Sequence, residues 1–440
     1  MRKVVPVNMS KAYRATDVNN VKFEELAQRA AGRPAAAGMD VGKHAVLCVV
    51  RWPDGRFERP WKVNNPSEIP RLAGLLRSLA ERCPVRAAME PTGTYGDPLR
   101  AELERQGLPL YRVAGKAAHD YAEIFDGVPS QHDGKDAAVV AELAAIGKCR
   151  PWPYREPSEE DAELNRLVAW LDGQERIQRM WTGRLEGLLS RHWPELTRLL
   201  DLSSVTLLST LAQYGGPAAL AADPAAARRL ARWGRYRANS AKVANVIASA
   251  RHTAGMPQRR HEAEQLRQYA SLALAAFREK QQAGRRLGQL ASSRETLARM
   301  ASVVGAGTAC VLWATLGDPA DYPCGAAYRK AVGLNLKERS SGRYRGRLKI
   351  TKRGPSLARR WLYFAAMRVV QDPAVKPWFE AKKAKDKGRG QGAVLAVARK
   401  LMLALYAVAA RGETFDARRL LPGVDKTHAV APIADEAIPY

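Results

Sequence analysis

The sequence has little cysteine and no long uninterrupted apolar run. Its five cysteines are odd in number and widely separated, without a CxxC pair, which excludes a zinc ribbon and predicts a reducing compartment. The first 37 residues lack the continuous apolar core of a signal peptide, so we expect no export. The most apolar stretch, 392–410, carries Arg399 and Lys400 near its middle, where charges in hydrocarbon are costly. The sequence therefore predicts no membrane span and a cytoplasmic protein.

Acidic residues are scarce beside basic ones. The chain has 71 Lys or Arg against 44 Asp or Glu, a formal net charge of +27. Residues 38–148 are balanced at 15 of each sign, whereas residues 325–411 hold 22 basic and 4 acidic residues, concentrated in 337–353 and 376–389. This excess predicts a polyanionic partner, nucleic acid before membrane, and places its main contact surface in the later segment. The alternative is a basic solvated surface without a function.

The order of the predicted elements defines the fold class. From Ala36, three short apolar runs separated by tight turns predict an antiparallel meander, after which helices alternate with strands such as Val85–Met89. This order predicts an α/β domain with a mixed sheet. After Pro157, apolar residues spaced three or four apart predict two long amphipathic helices, either a coiled-coil arm or ordinary intramolecular core. From Met300 the sequence predicts a mostly helical third part.

Four carboxylates occupy positions that predict a metal site. Asp40 lies within the first strand of the meander, and Glu90 follows the apolar strand Val85–Met89. Asp133 and Asp136 are three residues apart at the start of a helix, so their side chains share one face. Taken singly, each acid has a structural interpretation: Glu90 caps the end of its strand, and Asp133 and Asp136 complement the helix dipole. An acid within a buried strand is costly unless it is paired or binds metal, so convergence of the set predicts one or two divalent ions.

The chemistry of this set favours phosphoryl transfer. Hard oxygen ligands without soft donors suit Mg²⁺, with Mn²⁺ as a substitute. Two such ions activate an attacking oxygen and stabilise a leaving one.

The motifs that carry these residues resemble one family. A strand Asp, a strand-end Glu and a helical DxxD after a meander resemble the RuvC branch of the ribonuclease-H-like nucleases. The wider sequence is similar to the DEDD insertion-sequence transposases of the IS-one-ten family, which includes the Piv-type invertases. The similarity spans about residues 36–415. It rests on the segments GMDVGKH, AMEPTGTYGDPL, HDGKDAAVVAEL, VVGAGTACVLWATLGDPADY, AVGLNLKERSSGRYRGRLKITKRG and AVLAVARKLMLALYAVAARGETF, in that order.

The resemblance implies a multidomain DNA recombinase. Its expected parts are an N-terminal extension (1–35), a RuvC-like catalytic domain (36–150), a helical and coiled-coil domain (151–299), a mostly helical C-terminal transposase domain (300–415) and a tail (416–440). It implies metal binding and catalysis by Asp40, Glu90, Asp133 and Asp136. It further implies a covalent serine nucleophile at Ser341, with the adjacent Ser340 as the alternative.

The resemblance and the charge together define the expected partners. Double-stranded donor and target DNA are the substrates, and family members include recombinases directed by a structured bridge RNA. We expect a homo-oligomer, a dimer or a tetramer, because exchanging two duplexes needs several active sites, and association with the nucleoid. The residues expected to contact nucleic acid are Lys337, Arg339, Arg343, Arg345, Arg347, Lys349, Lys352 and Arg353.

Three other functions remain open at this stage. A Holliday-junction or structure-selective nuclease would use the carboxylates alone, with Ser341 in a mere turn. GMDVGKH also resembles the first phosphate loop of sugar kinases and actin-like ATPases, although the later loops of that superfold are not recognisable here. A basic nucleic-acid-binding scaffold with a degenerate nuclease domain would have no activity at all.

Overall fold

The computed structural model describes most of the chain. The described residues are 14–30, 32–91, 93–126, 132–235, 238–338, 340–341, 344–346 and 348–420. They form two compact units, which divide between Glu156 and Pro157. The predicted fold class is confirmed, because the first unit is an α/β domain and the second is almost entirely helical.

The first unit is built on a seven-stranded mixed sheet in the order β1-β4-β3-β2-β5-β6-β7. The meander β2-β3-β4 is antiparallel, as predicted, and β2, β5 and β6 run parallel to one another. The strands are β1 (Thr16–Asp17), β2 (Ala35–Val41), β3 (Ala45–Arg51), β4 (Trp61–Asn64), β5 (Val85–Met89), β6 (Leu110–Arg112) and β7 (Arg150–Pro151).

Helices cover both faces of the central strands. The helices of this unit are α1 (Phe23–Ala30), α2 (Ile69–Ala80), α3 (Asp97–Arg105), α4 (Gly115–Phe125) and α5 (Asp133–Ala145). Helices α1 to α3 share a core with Ala37 and Met39 on one face of β2, whereas α4 and α5 pack against Ala36 on the other. Because both faces of the central strands are buried, β2 and β5 are apolar along most of their length and do not alternate between apolar and polar residues.

Part of the predicted N-terminal extension belongs to this domain. Strand β1 pairs in parallel with β4 at the sheet edge. Val18, Leu26 and Ala30 are buried in the core beneath α2. Residues 16–30 therefore contribute to the folded unit.

The second unit is organised along two antiparallel helices of 34 residues each, α6 and α12. At one end they share a core with the helices that follow Arg294, through residues such as Leu167 and Leu287. At the other end, Leu185 and Leu266 belong to a second core formed with the helices between them, here called the distal lobe (α7 to α11). The elements are α6 (Glu159–His192), α7 (Leu196–Leu199), α8 (Val205–Tyr214), α9 (Pro217–Ala222), α10 (Ala226–Gly234), α11 (Ser240–Arg251) and α12 (Arg260–Ser293).

The remaining helices of this unit surround α18. These elements are α13 (Glu295–Val304), α14 (Ala306–Leu316), α15 (Gly325–Ala331), α16 (Ser356–Val369), α17 (Lys376–Lys385) and α18 (Gly390–Arg411). Among the described residues, only α18 has the length and composition of a membrane span, and half of that stretch is buried in the core through residues such as Val397 and Leu401. Ala417 and Leu420, beyond the predicted end of the C-terminal domain, also pack into this core.

A small hairpin interrupts the helices between α15 and α16. It consists of two nested antiparallel pairs, here called the serine hairpin, in which β8 pairs with β11 and β9 with β10. Its strands are β8 (Leu336–Lys337), β9 (Ser340–Ser341), β10 (Tyr344–Arg345) and β11 (Lys349–Ile350).

Candidate active site

Two of the predicted carboxylates lie at the ends of adjacent central strands. Strands β2 and β5 run parallel, and Met39 pairs with Met89 in their register. The next residue on each strand is the acid, so Asp40 and Glu90 follow this pair at the same edge of the sheet. Both side chains are half-buried, and alternation along each strand directs them to the face that α4 and α5 cover.

Helix α5 brings the other two carboxylates to this edge. It crosses β2 directly over Gly38, where an added Cβ would lie 2.2 Å from the backbone oxygen of Ala137 and from the backbone nitrogen of Ala141. Only glycine permits this approach, because any side chain would collide with helix backbone. Asp133 begins the helix and Asp136 lies in its first turn, so both acids stand near its positive end.

Electrostatic coupling links Asp40 to the other three carboxylates. Burial, and then the charges of Asp133, Asp136 and Glu90, raise the pKa of Asp40 to about 6. Burial and Asp136 raise the pKa of Glu90 above its ordinary value. Burial and Asp133 likewise raise the pKa of Asp136, while His132 and Lys135 act in the opposite direction. Anions held this close repel one another unless a proton or a cation compensates them.

The donor set fits a hard divalent cation that retains other ligands. All four side chains offer oxygen, which Mg²⁺ and Mn²⁺ prefer. Among the described residues, no three Asp, Glu, His or Cys side chains stand close enough together to hold a metal ion by themselves. Mg²⁺ is usually held by one or two carboxylates together with waters and substrate phosphates, so an incomplete protein set suits it.

Sequence reasoning missed several residues that hold this site in place. His132 is the N-cap of α5, and its ring Nδ1 accepts from the backbone N–H of Lys135 at 3.3 Å. The Lys135 side chain is only 2% exposed and forms an ion pair with Asp126, Nζ to Oδ1 2.7 Å. At the other carboxylate, a Cβ on Gly115 would lie 2.9 Å from Glu90 Oε2, so this glycine leaves room for the acid.

The sequence carried no clear signal for these residues. His132 is not one of the residue types preferred at an N-cap, so its role was visible only in the structure. Burial of Lys135 was not foreseeable from local sequence, because lysine is almost never fully buried unless a distant partner pairs with it.

The predicted nucleophile lies in the second unit, on the serine hairpin. Ser341 pairs with Tyr344 across the two-residue ladder and is exposed. Its neighbour Ser340 is also exposed, and its hydroxyl donates to Glu338 Oε1 at 3.1 Å.

The predicted nucleic-acid contacts lie on both sides of this serine in the sequence. Lys337, Lys349, Lys352 and Arg353 are exposed, as a contact surface for phosphates requires. Arg339, Arg343 and Arg347 lie outside the described residues, as does the side chain of Arg345.

The chain is similar to transposases of one insertion-sequence family. The family model DEDD_Tnp_IS110, described as a transposase, matches residues 37–194, and the model of the transposase IS116/IS110/IS902 family matches residues 295–383. The first match contains all four carboxylates and the second contains Ser341.

Two curated relatives extend the similarity over most of the chain. The insertion element IS110 uncharacterized 43.6 kDa protein of Streptomyces coelicolor is 27% identical over 401 residues, which cover 88% of this chain and 96% of the relative. The insertion element IS900 uncharacterized 42 kDa protein of Mycobacterium paratuberculosis is 27% identical over 394 residues, covering 86% and 96%. The predicted family is confirmed, and the sugar-kinase and non-enzymatic scaffold hypotheses are set aside. With its two family models together matching more than half of the chain, the protein belongs to the IS110 family of DEDD transposases, enzymes that act on DNA and generally use a divalent metal.

Proposed function

We propose that this transposase cuts and rejoins donor and target DNA with two kinds of catalytic group, a carboxylate site and a serine. The carboxylate site consists of Asp40, Glu90, Asp133 and Asp136, and the serine is Ser341. The observation that carries the proposal is that burial, and then the charges of Asp133, Asp136 and Glu90, raise the pKa of Asp40 to about 6. Such an arrangement is destabilising by itself and is typical of sites selected for function.

The carboxylates are the proposed holders of Mg²⁺, or of Mn²⁺ in its place. When bound, the cation supplies a Lewis acid that lowers the pKa of an attacking hydroxyl and stabilises charge on the phosphate. Asp40 and Glu90 hold their carboxylates on the ends of two central strands, which fixes their positions. Asp136 and Asp133 complete the set from the first turn of α5.

Ser341 is the proposed nucleophile. Its Oγ forms a bond to phosphorus, the bond from phosphorus to one sugar oxygen breaks, and the serine proton ends on that oxygen as the leaving hydroxyl. The resulting phosphoserine ester retains the energy of the phosphodiester bond. A sugar hydroxyl of another strand then attacks the ester and releases the serine, so strands are rejoined without a nucleotide cofactor.

Target choice is proposed to come from a structured guide RNA. The exposed basic residues around the serine hairpin supply affinity for phosphates that does not depend on sequence. The sequence has no zinc-finger or clear recognition-helix motif that would read bases directly. Base pairing between a guide and the DNA would supply this specificity. The guide proposal fails if nuclease-treated, RNA-free protein recombines its cognate sites at the full rate.

The assembly and location follow from this reaction. Exchange of two duplexes requires several active sites, so we propose a homodimer or homotetramer working on DNA in the cytoplasm, at the nucleoid. The division into catalytic, coiled-coil and transposase domains is likewise proposed, with residues 16–30 assigned to the first of these and Ala417 and Leu420 to the last.

Mass spectrometry of protein trapped on a nicked DNA substrate tests the serine. We expect a DNA adduct on Ser341 in the wild type and none in Ser341→Ala. An adduct on Ser340 would move the nucleophile by one residue and keep the mechanism. An adduct on any other serine would refute the assignment.

One observation favours a second candidate, a structure-selective or Holliday-junction nuclease that uses the carboxylates alone. Ser341 is exposed on a ladder of two residues per strand, as a serine in a surface turn without a catalytic role would be. In that case Ser341→Ala would lose joining but retain nicking.

A further inference from the structure

The distal lobe carries a strong positive charge that the proposed reaction does not use. Residues 195–260 contain ten Lys or Arg and three Asp or Glu. Neither the carboxylates nor Ser341 belongs to this lobe. A basic surface on a DNA-acting enzyme is expected to meet phosphate.

A cavity of about 620 Å³ lies within this lobe. Its walls come from the end of α6, from α9, from the segment that joins α11 to α12 and from the start of α12. Among the described residues that line it, none is Asp or Glu, and four are arginines. These are Arg251, Arg259, Arg260 and Arg267.

Most of these guanidinium groups have no carboxylate partner. Arg260 pairs with Glu264 at 3.1 Å, but Arg251, Arg259 and Arg267 have no carboxylate within ion-pair distance in the described part of the chain. Arg267 is held in place, because its Nη2 donates to the backbone oxygen of Tyr214 at 2.9 Å. Guanidinium is a planar fork that matches phosphate oxygens, so unpaired arginines around a concavity favour a phosphate ligand.

His192 also belongs to the lining and is 1% exposed, so its ring is a fixed part of the wall. Its Nδ1 lies 3.1 Å from the backbone oxygen of Met256, which holds the ring against the segment that joins α11 to α12. Its Nε2 is enclosed by protein and lies 3.4 Å from Glu262 Oε1.

Tight packing makes the walls of the cavity preformed. A Cβ on Gly216 would lie 1.9 Å from Gln258 Oε1, and one on Gly255 would lie 2.3 Å from the backbone oxygen of His192. Gln258 is itself anchored, because its Nε2 donates to the backbone oxygen of Gly215 at 2.9 Å. A cavity shaped by such contacts does not have to be ordered on binding, which lowers the cost of ligand capture.

We propose that this cavity binds one unpaired nucleotide of a nucleic-acid strand. Arg251, Arg259 and Arg267 hold its phosphate, and the base lies against the apolar wall that Pro217 and Met256 contribute. The volume is within the range of ligand pockets, roughly 300 to 1,000 Å³. Strand exchange separates paired strands, so a DNA-acting recombinase presents unpaired nucleotides that such a cavity would hold.

Photo-crosslinking on the full-length protein tests the proposal. The probes are 12-nucleotide single strands of DNA and of RNA with one photoreactive uracil, and a DNA duplex of the same sequence. We expect both single strands, or one of them, to crosslink to the segment 214–258, and the yields identify which strand the cavity takes. Crosslinking by the duplex alone, or none in this segment, would overturn the proposal.

Matched variants distinguish binding in the cavity from general attraction to the positive charge of the lobe. The double variant Arg251→Gln/Arg259→Gln and the filling variant Ala218→Trp should each lower the crosslink yield at least about tenfold. Ala218 is an exposed lining residue, so the fold should tolerate the larger side chain. Arg228→Gln/Arg232→Gln removes the same charge from α10, outside the lining, and should change the yield less than about threefold. Equal loss in this control would contradict a specific site.

Competition distinguishes a nucleotide from a bare anion. Deoxyadenosine monophosphate should reduce the crosslink at a concentration at least about tenfold lower than inorganic phosphate. Equal competition by the two would show that the base is not bound and would overturn the assignment. Unchanged thermal unfolding of each variant checks that the fold is intact.

Discussion

The carboxylate site and the serine hairpin are built in opposite ways. Asp40 and Glu90 are fixed on central strands, with helix α5 packed to backbone contact over Gly38. Ser341 lies on a ladder of two residues per strand, and its side chain is exposed. Few buried contacts mean that the hairpin opens at a lower free-energy cost than the sheet edge does. The difference indicates that the carboxylates are held by central strands and a tightly packed helix, whereas the proposed nucleophile lies on an element that can adapt its position.

Loss of one carboxylate should have the largest effect. Asp136→Asn should lower strand cleavage by at least roughly 10³-fold, because it removes one of the charges that hold the cation. Initial rates of nicking on a labelled substrate measure it, with the exposed Glu104→Gln as a control of equal charge change. Wild-type cleavage that survives excess EDTA would contradict the metal assignment.

Removal of the serine hydroxyl should come next. Ser341→Ala should lower nicking and joining together by at least roughly 10²-fold, since the proposed first step needs this oxygen. Ser340→Ala, one residue away on the same strand, should change both rates less than about threefold. Retained nicking in Ser341→Ala would support a rigid carboxylate site that works alone.

A substitution at Gly38 tests the tight packing of β2 against α5. Gly38→Ala should destabilise the first unit by about 3 kcal/mol, because the new Cβ has no space between β2 and α5. Denaturant unfolding measures this change. Gly74→Ala is the matched control on α2, where a Cβ meets nothing within 4 Å, and should be neutral or stabilise by up to about 1 kcal/mol.

Removal of the Asp40 charge, which burial and then neighbouring carboxylates disfavour, should stabilise the protein in a pH-dependent way. The pKa of Asp40 is about 6 in the fold, above its ordinary value of 3.8, so its charged form is disfavoured in the folded state. Asp40→Asn should therefore raise the free energy of unfolding by roughly 1 to 2 kcal/mol above pH 7, after allowance for solvent screening.

The sign of the pH dependence follows from the raised pKa. The free energy of unfolding of the wild type rises as the pH falls from above 6 to below 3.8. The difference in stability between Asp40→Asn and the wild type should therefore shrink over that window. Parallel unfolding curves at pH 7.5 and pH 4, with Glu104→Gln as reference, measure the difference. An advantage that grows on acidification would contradict the electrostatic account.

The basic residues at the serine hairpin should have the smallest single effects. Lys349→Gln and Arg353→Gln should each weaken DNA binding about 3- to 10-fold and lower the slope of log affinity against log salt by about 1. The exposed Arg71→Gln on α2 is the control and should change neither. Salt titrations by fluorescence anisotropy measure both quantities.

Local sequence predicted well the strands and helices that carry the carboxylates. Strand β5 has the predicted bounds Val85–Met89, and helices alternate with strands after the meander, as predicted. Such elements depend on patterns that lie within a few residues, which is why they could be predicted. An acid at the end of a buried apolar run, as at Glu90, was visible for the same reason.

Features that depend on contacts between different elements of the fold could not be predicted from local sequence. The burial of Lys135 depends on Asp126, and the place of β1 depends on β4, more than 40 residues later in the chain. The cavity of the distal lobe likewise requires α6 and α12 to meet the segment between them. These contacts result from tertiary packing that no local period encodes.

The pairing of β1 with β4 affects how the chain can be shortened. A protein that began at Ala36 would expose the outer backbone groups of β4 and would uncover the apolar surface beneath Leu26. Unprotected strand edges recruit other chains, so such a truncation should aggregate even though every proposed catalytic residue is retained. Residues 16–30 thus protect this edge of the sheet from pairing with another chain.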